Sequence, residues 1–239
     1  MYLKGRGRNF IQGVKEGLPI GLGYLSVAFA FGVKASLLGV PALITVLISM
    51  TNLTSAGQLA GITVIAEAGT ILEMIATQLI INSRYSLMSI SLSQKAVGNY
   101  TIPKRLFSSA FVTDEIFAVA VTKPSFGFPF FTGLSLLPYV GWVSGTVAGV
   151  LLGNVLPVEI QSALGIAIYA MFIAIIIPPA ETNFAVLTVL FFSAGLSCLF
   201  YFVPFLSKTF STGTAVIICA VVTAAVVSLI FPIKEKEYE

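Results

Sequence analysis

Residues 49–61 read Ser49-Met50-Thr51-Asn52-Leu53-Thr54-Ser55-Ala56-Gly57-Gln58-Leu59-Ala60-Gly61, in the middle of an apolar run over 41–66. A helix needs about 20 apolar residues to cross a hydrocarbon core about 30 Å thick. The run has that length, yet Ser49, Thr51, Asn52, Thr54, Ser55, Gly57, Gln58 and Gly61 put polar or glycine positions at its centre. Unpaired backbone groups in hydrocarbon cost several kcal/mol each, so irregular backbone survives at depth only inside protein or beside water. The stretch is therefore read as a break or re-entrant turn within a membrane segment. Close helix packing through small residues is the alternative reading.

The rest of the chain supports a membrane setting. Of its 239 residues, 57% are hydrophobic and 10% charged, against roughly 25% charged in ordinary soluble domains. That excludes a soluble enzyme, a nucleic-acid-binding domain and a disordered chain. Lys34 is the only charge between Gly17 and Ala66, Glu159 and Glu181 are the only ones from Pro124 to Ser207, and there is none from Thr209 to Ile233. Transmembrane strands would alternate over about ten residues; these continuous runs predict helices. The expected fold is an all-α integral membrane protein, a polytopic helical bundle of about seven or eight membrane segments, at least one discontinuous.

Eight apolar segments are expected, over 17–38, 41–66, 70–94, 106–122, 131–153, 160–178, 183–206 and 210–231. Residues 1–16 read as a cytoplasmic arm and a short interfacial helix, with Phe10, Ile11, Val14 and Leu18 on one face. Residues 17–232 read as a single transmembrane transport domain, and 233–239 as a charged C-terminal tail. Lys4, Arg6, Arg8 and Lys15 precede the first span, so the N-terminus is expected in the cytoplasm. If every segment crosses, Lys95, Lys104 and Arg105 fall outside; if the second is re-entrant, they fall inside, as the charge rule prefers.

The chemistry is limited. The chain has no histidine, which removes Ser-His and Cys-His pairs, histidine-ligated zinc and histidine proton shuttles. It has no P-loop glycine motif for ATP. Cys198 and Cys219 lie in apolar segments and read as packing residues. No enzyme activity, cofactor or metal is expected. Lys34, Glu67 and Glu73 lie near segment ends and can snorkel. Arg84, Asp114 and Glu115 lie deeper, where a charge costs at least about 2.5–3.5 kcal/mol. Arg84 is about 16 Å along its helix from Glu73, so its partner must come from another segment or a ligand. Asp114 is favoured over Glu115, which points about 100° away round the helix.

Several motifs occur in order: Gly17-Leu18-Pro19 opening the first span, Ser55-Ala56-Gly57-Gln58-Leu59-Ala60, Ile81-Asn82-Ser83-Arg84-Tyr85, and Thr113-Asp114-Glu115. In these the chain resembles the AzlC-type branched-chain amino acid export proteins, large subunits of a bacterial two-component permease. The resemblance runs from about Phe10 to Val121 and more loosely to the end. The family usually has Ala-Gln-Phe where this chain has Gly57-Gln58-Leu59, and often histidine where it has Tyr85, a departure that bears on any proton-relay role at that position. The resemblance implies an exporter of small hydrophobic amino acids, driven by the proton-motive force, in the bacterial cytoplasmic (inner) membrane. It also implies a small AzlD-type membrane subunit as partner. Such a substrate needs groups for its carboxylate and its ammonium. Ser55, Gly57, Gln58, Asn82, Arg84 and Asp114 are the candidate substrate-binding residues, and Asp114 and Glu115 the candidate proton-coupling carboxylates. A passive channel or facilitator for another small solute is the alternative.

Overall fold

A computed structural model describes residues 6–232; the expected C-terminal tail lies outside them. Among the described residues there are eleven α-helices and no strand. They are α1 (Arg6–Leu37), α2 (Ala42–Thr51), α3 (Ser55–Ala66), α4 (Ile71–Lys95), α5 (Ile102–Ser109), α6 (Asp114–Val121), α7 (Phe128–Leu152), α8 (Val158–Thr182), α9 (Phe184–Phe202), α10 (Pro204–Thr209) and α11 (Thr212–Ile230). Among those residues, four stretches are long and apolar enough to cross a membrane: Phe10–Leu37, Phe128–Leu152, Phe184–Phe202 and Thr212–Ile230. The chain is an all-α membrane protein. The expected interfacial helix and first span form one helix, α1, which runs through Pro19 without interruption.

The helices pack as two compact units. The first contains α1, α2, α3 to Ile62, α4 from Ile81, and α5 to α7 with the start of α8; the second contains Thr63–Ile80 and the chain from Tyr169. In the first unit α1 and α7 lie side by side and parallel. Gly13 meets Phe130 and Leu134, Gly21 meets Leu137 and Gly141, and Gly32 meets Thr146 and Val150. Small residues let two membrane helices approach until backbone touches backbone. A Cβ on Gly21 would sit 2.7 Å from the Leu137 carbonyl oxygen, so the position admits glycine alone.

Gly39, in the left-handed region at φ +75°, stops α1, with Gly39 N donating to Ser36 O and Val40 N to Ala35 O. Pro41 then opens α2. The chain breaks at 52–54 and returns as α3, whose Leu59 and Ile62 pack with Phe31, Ala35, Val40 and Ile48. Had α3 continued in the direction of α2, Ile62 would lie about 20 Å from Phe31 at 1.5 Å per residue. The second segment is therefore a re-entrant hairpin entering from the end of the unit where α1 finishes. Inside it Gln58 Nε2 donates to Ser49 Oγ (3.1 Å) and Asn52 O (2.7 Å), and Ser49 reaches Thr146 Oγ1 of α7 (2.7 Å).

The fourth segment has the same form from the opposite end. α5 enters, the helix breaks at 110–113, and α6 returns. Lys95 Nζ, at the end of α4, donates to the carbonyls of Val121, the last residue of α6, and of Lys123 just beyond it. Lys123 pairs with Glu16 of α1 at 2.9 Å. Lys95, Lys123 and Glu16 thus share one end of the unit, with Lys104 and Arg105 bonded to the adjoining carbonyls of Asn99 and Tyr100. With both broken segments re-entrant, α4 alone reverses direction between α1 and α7, which accounts for their parallel packing.

In the second unit, the first turn of α11 is capped from outside. Ser211 Oγ donates to Glu73, and Thr212 N and Oγ1 donate to Glu67 (3.3 and 2.6 Å). Carboxylates suit the positive end of a helix, so these two acids, read as snorkelling, have a protein partner.

Candidate functional site

The two hairpin tips are built alike. Each returning half-helix starts at a threonine whose hydroxyl accepts the amide three residues on. Thr54 Oγ1 takes Gly57 N and Thr113 Oγ1 takes Ile116 N, both at 3.3 Å. Threonine is a favoured N-cap because it satisfies an amide the helix leaves without a partner. Each threonine also meets a tyrosine from a long helix: Tyr85 of α4 donates to Thr54 (3.1 Å), and Tyr24 of α1 meets Thr113 (2.6 Å).

Between the tips lies the charge. Arg84 Nη1 donates to Asp114 Oδ1 at 2.9 Å, and Nη2 lies 2.8 Å from Oδ2, a two-pronged pair. Nη2 also donates to Tyr85 Oη at 3.2 Å, and the guanidinium lies 4.9 Å from that ring's centre. Thr54, Tyr85, Arg84 and Asp114 thus form one polar chain from the first tip to the second. Asp114 and Glu115 occupy the first turn of α6, where the helix dipole favours negative charge.

Glu115 faces the other way, toward α1. It accepts a hydrogen bond from the Tyr24 hydroxyl, and Tyr24 is buried beside Trp142, ring centres 5.1 Å apart. Leu53 of the first tip and Val112 and Ile116 of the second share that core. The site combines a guanidinium, two carboxylates and two half-helix N-termini at the depth where both hairpins turn. A zwitterion can be held there by its two charged ends.

Of the candidate residues, Arg84 and Asp114 meet directly, and Ser55 and Gly57 lie in the first turn of α3 next to Thr54. Gln58 is 1% exposed and spends its amide inside its own hairpin, so it shapes the tip rather than facing a ligand. Asn82 is two residues before Arg84, about 200° round α4, and so lies on the opposite face from the Arg84–Asp114 pair. Sequence reasoning missed Tyr24, Thr54 and Thr113 as site residues. The threonines carry a legible signal, an N-cap type immediately before Ser55 and Asp114; Tyr24 is one tyrosine in an apolar span and carries none.

Residues 19–156 match the family model described as AzlC protein. The chain is 34% identical over 172 residues to an uncharacterized membrane protein of Archaeoglobus fulgidus, covering 71% of this chain and 75% of that one. It is 31% identical over 178 residues to the inner membrane protein YgaZ of Escherichia coli, covering 70% and 72%. No solved structure matches. The matched region spans both hairpins and the Arg84–Asp114 pair, and the chain belongs to the AzlC family of membrane proteins.

Proposed function

We propose that the protein exports small hydrophobic amino acids, branched-chain ones among them, across the cytoplasmic membrane, driven by the proton-motive force. The observation that carries this reading is the meeting of two half-helix N-termini at the Arg84–Asp114 pair. Discontinuous helices whose positive ends face the substrate's anionic group are a recurring transporter design. A zwitterion entering the pair exchanges one ion contact for two, its carboxylate on Arg84 and the α3 N-terminus, its ammonium on Asp114. The apolar core of Leu53, Val112 and Trp142 beside the tips suits an aliphatic side chain.

In this reading 17–232 acts as one transport domain, with Asp114 and Glu115 as the carboxylates available for proton coupling. The basic end of the first unit, and with it the start of α1, faces the cytoplasm in this reading, in keeping with the positive-inside tendency. The partner is a small AzlD-type membrane subunit. The resemblance to two-component permeases motivates that partner, and α9, with no buried residue, leaves a helix surface for lipid or a subunit. Counterflow of labelled leucine in proteoliposomes tests the reading, with the companion subunit present or absent. Exchange that an imposed proton gradient turns into accumulation supports it; flux blind to the gradient points instead to a passive facilitator.

A further inference from the structure

The two carboxylates at the start of α6 are adjacent in sequence and placed in opposite surroundings. Asp114 is held by both prongs of Arg84. A proton arriving there would break that pair and leave the guanidinium with Tyr85 as its remaining partner and no counter-charge. Glu115 pairs with no cation among the described residues. Its neighbour is the Tyr24 hydroxyl, which also contacts Thr113, the N-cap of the same half-helix. The titratable and charged groups around it among the described residues are Tyr24 from α1, Asp114 on its own helix, and Arg84 and Tyr85 from α4. The first tip offers a comparison. Thr54-Ser55-Ala56 occupies the place of Thr113-Asp114-Glu115, with the same amide cap and the same tyrosine contact but no carboxylate.

We propose that Glu115, Tyr24 and Thr113 form a proton-operated latch on the second hairpin: Glu115 takes up the coupling proton while Asp114 stays ionised on Arg84. This rests on the transport reading above and assigns the coupling step within it. With Glu115 ionised, the Tyr24 O–H donates to Glu115 Oε2 and the Thr113 O–H donates to Tyr24 Oη. When hydronium delivers a proton to Glu115, one of its O–H bonds breaks as an O–H bond forms at the carboxylate, neutral water leaves, and the chain reverses. Glu115 then donates to Tyr24 Oη, and Tyr24 donates to Thr113 Oγ1, which already accepts Ile116 N. The proton thereby changes the hydrogen bonding of the cap on which the second hairpin turns. The first hairpin, with Ala56 in the place of Glu115, has a latch that does not respond to protons. Only the hairpin entering from the basic end is gated by them.

The test uses the full chain in proteoliposomes with labelled leucine, read two ways: counterflow without a gradient, and accumulation driven by an imposed pH gradient. Glu115→Gln should lower driven accumulation at least about tenfold more than it lowers counterflow, the scale of losing one charged hydrogen bond. Asp114→Asn should lower both alike. A Glu115→Gln variant that accumulates leucine as the wild type does, or loses both activities in equal measure, overturns the assignment. A second measurement needs no substrate. Infrared difference spectra between acid and alkaline buffer should show a protonated-carboxyl band that Tyr24→Phe shifts, Asp114→Asn keeps and Glu115→Gln removes. A band indifferent to Tyr24→Phe, or one lost in Asp114→Asn, overturns the proposal. Absence of leucine counterflow in the wild type defeats the amino-acid reading by itself and leaves the infrared result to decide on Glu115.

Discussion

Arg84 holds Asp114 through two contacts of 2.9 and 2.8 Å, and so ties the long helix α4 to the first turn of the half-helix α6. The Arg84 side chain is 41% exposed and that of Asp114 26%, so the pair is neither sealed in the core nor free on a surface. In the transport reading, that intermediate state suits a pair that opens to admit a charged substrate.

The pair also contributes to folding. Arg84→Ala and Asp114→Ala should each lower thermal stability in detergent, and neutralising both should cost less than the sum of the two. A double-mutant cycle should return a coupling of about 0.5–3 kcal/mol. Strict additivity would mean that the contact carries no energy.

The parallel contact of α1 with α7 depends on glycine at close approach. Gly21→Ala should destabilise the protein by about 1–3 kcal/mol, the usual cost of overpacking, because its methyl meets the Leu137 carbonyl. Gly23, two residues on, faces open space: apart from its neighbours and the backbone of its own helix, no atom of the described residues lies within 4 Å of the place an alanine methyl would take. Gly23→Ala should be neutral or stabilising by up to about 1 kcal/mol, through helix propensity alone. Equal melting shifts for the two variants would contradict the packing described.

Two re-entrant hairpins fix which loops share a side of the membrane. With Cys198 and Cys219 replaced by alanine, single cysteines at Lys15, Lys104 and Lys123 should all react with an impermeant thiol reagent from one side. A cysteine at Pro41 should react from the other. Labelling of Lys104→Cys on the side opposite Lys15→Cys would mean that the second segment crosses, and would remove the hairpin.

Parts of this arrangement are legible in the amino-acid order. The cluster of Ser49, Thr51, Asn52, Thr54, Ser55 and Gln58 announces the first break; glycine alone does not, since the intact helices α1 and α7 use glycines for close packing. The cost of an unpaired guanidinium and carboxylate in apolar segments points to Arg84 and Asp114 as partners before the fold is known. What periodicity cannot express is direction. Nothing local distinguishes a broken helix that crosses from one that turns back; the burial of Ile62 in one cluster with Phe31, Ala35 and Val40 settles it, and those residues lie more than twenty positions earlier in the chain. The same limit hides Tyr24, whose hydroxyl matters only because Thr113 and Glu115, about ninety residues later, fold against it. Gln58 shows the converse: a polar residue at the right depth for a ligand, yet consumed by Ser49 and Asn52 in its own hairpin.

In the transport reading, a zwitterionic amino acid binds at the Arg84–Asp114 pair between the two tips. Labelled leucine counterflow in proteoliposomes loaded with equal amounts of folded wild-type or Asp114→Asn protein tests it most directly. The wild type should exchange leucine and Asp114→Asn should not, since asparagine keeps the shape and removes the charge that meets the ammonium. Undiminished leucine exchange by the well-folded Asp114→Asn variant would contradict it.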